Sequence, residues 1–142
     1  MKKILVVAIA LIASSSSFAQ ISISQQKTIG VIRNGASEDA SLSKSDQLVT
    51  LKYMGTTPER KWDTDFVKFK ATDTELDQLY VALIQLLEST EKNSSLDITL
   101  GENNILFVEK TKVMGISYVS LGNGRTKTRP LNKNQISKLF GK

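Results

Sequence analysis

The chain has 142 residues, a formal net charge of +5, and neither cysteine nor histidine. Those two absences exclude Ser–His–Asp and Cys–His nucleophile systems, disulfide staples, and the usual zinc, copper and haem ligand sets. The length supports one hydrophobic core, and a charge this modest argues against a nucleic-acid partner.

Met1-Lys2-Lys3 is a short positive segment, Ile4 to Ala13 is an apolar run, and Ser17-Phe18-Ala19 offers small residues at −3 and −1 of a cleavage site. This is the three-part pattern of a secretory signal peptide. Residues 1–19 are expected to be removed, leaving Gln20 first, and the destination is the periplasm or the medium. The apolar run is shorter than the ~20 residues that a membrane anchor needs, and no later stretch approaches that length, so the mature chain is expected to have no membrane span. The rest divides into an N-terminal strand and polar loop over 20–46 and a single α+β domain over 47–142.

Ile29, Val31 and Ile32 suggest an opening strand, preceded by a shorter patch at Ile21 and Ile23. Asn34–Ser45, NGASEDASLSKS, is small and polar and reads as a connecting loop that starts with the turn signal Asn34-Gly35. Leu48–Met54 alternates, with Val49, Leu51 and Tyr53 on one face. Gly55–Pro58 stops that strand, and Glu59-Arg60-Lys61 prolongs the loop. Trp62–Lys70 forms the next strand, antiparallel to the last, with Val67 and Phe69 opposed to Phe66, Lys68 and Lys70.

The best-specified element follows. Between Thr72 and Lys92, the residues Leu76, Leu79, Tyr80, Leu83, Ile84, Leu86 and Leu87 share one arc of roughly 160° at 100° per residue. Thr72 and Glu75 have capping-box spacing, and Asp73, Glu75 and Asp77 place negative charge at the positive end of the helix dipole. The pattern predicts a long amphipathic helix over about 73–91, lying on a sheet.

Beyond the helix, Leu96, Ile98 and Leu100 alternate up to a turn at Gly101–Asn104. Ile105–Lys110 and Val113–Leu121 read as two further strands. Gly122-Asn123-Gly124 is a strong tight-turn signal, and Arg125–Arg129 is expected to return as a final short strand. Asn132 with Gln135, and Leu131 with Ile136, mark the start of a short C-terminal helix over about 133–140. The fold class is α+β: an antiparallel sheet of about five to seven strands with helices on one face.

Three constellations carry what chemistry there is. Asp63 and Asp65, with Asp73 and Asp77 nearby, are paired carboxylates of the kind used in glycoside hydrolysis or calcium binding. EF-hand spacing is missing, however, and the last two serve the helix start. Trp62 stands among Arg60, Lys61 and Asp63, a setting in which an aromatic ring can contact a ligand. The third is charge. Gln20–Asn104 holds nine basic against thirteen acidic side chains, a net of −4, while Ile105–Lys142 holds eight against one, a net of +7. Arg125, Lys127 and Arg129 alternate, so an extended chain projects them from one face, with Lys133 following. Such a stripe suits anions, although charged residues also serve to protect strand edges.

No catalytic, metal or cofactor site is expected. The sequence favours an exported, non-enzymatic binding protein of a bacterial envelope or medium, acting on an anionic polysaccharide or a protein partner. The alternatives are a small carboxylate-based hydrolase using Asp63 and Asp65, or a structural subunit of an envelope assembly.

Overall fold

The structure is a computed structural model that describes residues 25–57, 62–101 and 104–142. The expected signal segment, the Ile21/Ile23 patch, the Pro58–Lys61 loop and the residues Glu102 and Asn103 lie outside the described residues.

Among the described residues, seven strands and two helices follow one another as β1 (Lys27–Asn34), β2 (Ser37–Ser45), β3 (Leu48–Thr56), β4 (Trp62–Lys70), α1 (Asp73–Glu88), β5 (Ser94–Leu100), β6 (Asn104–Val113), β7 (Ile116–Gly122) and α2 (Lys133–Leu139). The class is α+β and every ladder is antiparallel, but the strands form two sheets, β1-β2-β3-β4 and β5-β6-β7, where one was expected. Short links on both sides of a helix bring each of its ends near a strand. They do not oblige those two strands to be neighbours, and α1 carries the chain about 24 Å at 1.5 Å per residue. β4 and β5 accordingly form no ladder with each other.

Asn34–Ser45 is not a loop. Asn34 pairs with Ser37 across a two-residue turn in which Gly35 has φ +64°, and β2 then lies between β1 and β3. Its buried apolar residues are Ala40, opposite Tyr53, and Leu42, opposite Leu51. The expected strand Val113–Leu121 is broken by a second tight turn. Met114 (φ 53°) and Gly115 (φ 82°) occupy the two central positions, and both signs match a type I′ hairpin.

One core joins all the layers. Leu51, Val67 and Phe69 from the first sheet meet Leu106, Val108, Val119 and Leu121 from the second, with Leu76, Leu79, Leu83 and Leu87 of α1 and Ile136 and Leu139 of α2. The arc read from the sequence is the buried arc, with Tyr80, Ile84 and Leu86 packed at its margin. α1 does not lie on one sheet face: it packs against β7 and α2, while α2 covers β1 and β2. An apolar arc this broad accommodates two neighbours.

The helix ends earlier than residue 91 for a local reason. Ser89 leaves helical geometry, and its backbone N–H and hydroxyl both donate to the Leu86 carbonyl. Lys110, wholly buried, places its Nζ 2.8 Å from both the Ser89 carbonyl and the Ser89 Oγ. A cation at this end complements the helix dipole and satisfies carbonyl groups that the last turn leaves open.

Candidate functional site: a clamped basic segment beside a cleft

Residues 123–125 bend, with Gly124 at φ 91°, and residues 126–129 run on from them without forming a strand of their own. They make isolated bridges, Lys127 with both Gly122 and Thr56, while Leu131 just beyond bridges to Val119. The alternation holds nevertheless. Thr126 and Thr128 are buried, and Arg125, Lys127 and Arg129 are exposed.

What fixes the segment is a set of hydrogen bonds to β3 and β4. The Asn123 Oδ1 accepts from the Arg125 and Thr126 amides, each at 3.0 Å, and so shapes the turn. The Asn123 amide donates to the Tyr53 hydroxyl (3.2 Å), which lies 3.0 Å from the Thr126 Oγ1. The Thr126 hydroxyl donates to Asp65 at 2.6 Å, and the Arg125 Nη2 donates to the same carboxylate oxygen at 3.0 Å. Thr128 adds a second anchor, its Oγ1 accepting from the Leu121 amide while its own amide donates to the Leu121 carbonyl.

The Asp65 carboxyl is therefore a buried acceptor at the centre of a network. Burial opposes its ionisation. The hydrogen bonds from Thr126, Asn123, the Phe66 amide and Arg125 outweigh burial and hold its pKa well below the usual carboxylate range. Tyr53 moves the other way, since burial raises its phenol above the ordinary value.

A stability effect with a definite sign follows. Asp65 binds protons more weakly folded than unfolded, so its contribution is present above the unfolded value near 3.9 and is lost progressively as pH falls through that value toward the lower folded one. Asp65→Asn should cost about 1–3 kcal/mol at pH 7, in the range of charged hydrogen bonds, and progressively less toward pH 3. Urea denaturation of parent and variant across that window checks this. Curves separated by the same amount at every pH would mean that the charge of Asp65 contributes nothing.

The other carboxylates do not gather around Asp65. Asp63 is exposed and accepts from the adjacent Thr64 amide. Asp73 pairs with Lys44 at 2.6 Å, and Asp77 with Lys142 at 2.7 Å. Among the described residues, no group of three or more acidic side chains is placed to hold a metal ion. Held ionised, Asp65 does not supply the protonated acid that a glycosidase pair requires.

Beside the segment lies a cleft of about 440 Å³. Its floor is the outer surface of the second sheet, where the rows Ser95–Glu109–Ser120 and Asp97–Phe107–Gly122 run across the three strands. Gly124, Arg125, Thr126 and Lys127 form one wall, and Thr56 and Thr57 close one end. The Phe107 ring is so close to Gly124 that a Cβ there would lie 2.8 Å from it. Lys127 reaches across to Glu109 at 2.7 Å.

The expected site residues thus separate into three places. Arg125 and Lys127 line the cleft. Arg129 stacks over Trp62, 4.4 Å from the ring centroid, and Trp62 itself is half-exposed on β4. Lys133 is elsewhere, 2.5 Å from Glu88, in a different hollow with Leu87, Ile116 and Ser117. Sequence reasoning missed Tyr53, Thr126 and Thr128 as anchors, and Asp97, Phe107 and Glu109 as cleft residues. The alternation of threonine with the cations was the visible sign of the anchors. Compared with protein-family models, curated proteins and solved structures, the chain matches none of them.

Proposed function

We propose that this chain is an exported, non-enzymatic binding protein that holds an anionic polymer, or an acidic surface of a partner, against Arg125, Lys127 and Arg129. The observation that carries the reading is the fixed presentation of these three cations. Buried Thr126 and Thr128 alternate with them, so the charges are held in place before any ligand arrives, which reduces the ordering cost of binding.

Their existing partners leave them available. The Arg125 side chain is 74% exposed, and its contact with Asp65 uses one of five guanidinium donors. Lys127 and Glu109 are both exposed, and a pair of that kind contributes about 0–1 kcal/mol, which a ligand phosphate, sulfate or carboxylate can displace. Arg129 and Trp62 offer a flat stacked surface next to the charges. Export rests on the N-terminal pattern, and a binding role is favoured over hydrolysis by the structural commitment of Asp65.

Retention on a heparin-like polyanion tests the proposal. The protein should bind at low salt and elute as ionic strength rises, because exposed charges are screened within ~8 Å at 0.15 M. The triple change Arg125→Ser, Lys127→Ser, Arg129→Ser should remove most of the retention, while Lys133→Ser should leave most of it. A triple variant retained like the parent, or a parent that ignores polyanions at low salt, overturns the reading.

A further inference from the structure

We propose that β5 is a self-pairing edge: two copies of the protein join antiparallel through Ser94–Leu100, with Ile98 of each on the two-fold axis. The result is a continuous six-stranded sheet. The inference rests on the outer edge of the second sheet and not on the basic segment, although Ser95 and Asp97 of β5 also line the cleft.

Four strands end the two sheets, and three of them carry features that close an edge. β1 has two register shifts and ends in Arg33 and Asn34, with Lys27 at its start. β4 presents exposed Lys68 and Lys70. The free side of β7 is occupied by the bridges Gly122–Lys127 and Val119–Leu131. Bulges, lysines and covering segments all discourage pairing between molecules. Among the described residues, β5 has none of these. Its register with β6 is unbroken from Ser94–Lys110 to Leu100–Asn104, and its one charged residue is Asp97.

The packing beneath it is also incomplete. Leu96, Ile98 and Leu100 lie on the core-facing side, in register with Val108, Leu106 and Asn104. Leu106 and Val108 are buried, yet Leu96 is 44% exposed and Ile98 and Leu100 are only half-buried. Beside Ile98 and Leu100 is a hollow of about 280 Å³ lined by Phe69, Ala71, Leu79 and Ala82 together with Lys70, Glu75 and Gln78. The core stops one strand short of being covered.

Charge selects the register of a second copy. A second copy paired about the middle of the strand sets Asp97 against Asp97, and like charges directly opposite are destabilising. Moving the axis one residue, to Ile98, sets Asp97 against Thr99 twice and Leu96 against Leu100 twice. The axis is perpendicular to the sheet, so the apolar rows of both copies share one face, as an isologous contact requires. Leu96 of each copy then comes beside Leu100 of the other, at the rim of the hollow.

Sedimentation velocity over a range of protein concentrations tests this, with far-UV circular dichroism confirming the fold of each variant. The parent should form a dimer. Thr99→Asp, at an exposed position, sets two acids opposite each other twice and should weaken the dimer about tenfold or more. The double change Asp97→Lys, Thr99→Asp sets opposite charges together in the same register and should restore it. A parent that stays monomeric throughout overturns the proposal. So does a Thr99→Asp variant that dimerises like the parent, or a double variant that stays as weak as the single one.

Discussion

Leu83→Asp should leave the protein unfolded at neutral pH. Leu83 has no exposed surface and sits midway along the buried line Leu76, Leu79, Leu83, Leu87, where both sheets and α2 meet. An aspartate there has no cation within the apolar cluster to pair with. Burying an unpaired carboxylate costs at least several kcal/mol, comparable with the ~5–15 kcal/mol of a typical domain's total stability. Circular dichroism and a thermal melt would show loss of both helical signal and cooperative transition. Val81→Asp is the control, because Val81 lies on the same helix but is 49% exposed, and its effect should stay within about 0.5 kcal/mol. Equal effects at the two positions would refute the assignment of the buried face.

Gly30→Ala should be strongly destabilising for the addition of a single methyl group. β1 passes so close beneath the end of α2 that a Cβ on Gly30 would lie 2.1 Å from the Lys138 carbonyl oxygen and 2.3 Å from that of Leu139. These are main-chain atoms, so no side-chain rotation relieves the clash. Nor is the helix free to move away: Asn132 and Gln135 form a reciprocal capping box, and Ile136, Leu139 and Phe140 are buried. The added methyl should therefore cost about 3 kcal/mol or more, at the upper end of overpacking effects. Urea denaturation measures the loss. Amide exchange in α2 should rise more than in α1, and an unperturbed α2 would show that β1 does not bear against it.

The elements that the sequence displayed well are those specified by neighbours in the chain. α1 and α2 show their caps and apolar arcs within a few residues, and Thr72 and Asn132 cap as their spacing indicates. β3 and β4 declare themselves by alternation. β2 did not, because Leu42 is its one large apolar residue, and Ala40 among serines and charged residues does not complete a hydrophobic period. The turn at Met114-Gly115 was hidden by methionine at positive φ, which turn statistics disfavour.

Division into two sheets is a long-range outcome that local patterns leave open. The site shows the same contrast. Arg125, Lys127 and Arg129 were visible as a stripe because alternation is local. Asp65 stood out in the sequence only as half of a pair with Asp63, since Arg125 and Thr126, which hold it, lie 60 and 61 residues later in the chain. Lys133 was grouped with the stripe by proximity in sequence, and the turn into α2 carries it to another surface.

The contact between Tyr53 and Thr126 spans 73 residues of a 142-residue chain. Closing so long a loop is slow compared with forming the hairpins at either end, because chain entropy opposes it until many other contacts are in place. The basic segment consequently acquires its final shape only after the first sheet, α1 and the second sheet have come together. A newly made chain presents its cations in unfixed positions until those contacts form. Under the proposed binding role, a partner of the segment would select finished copies over partly folded ones.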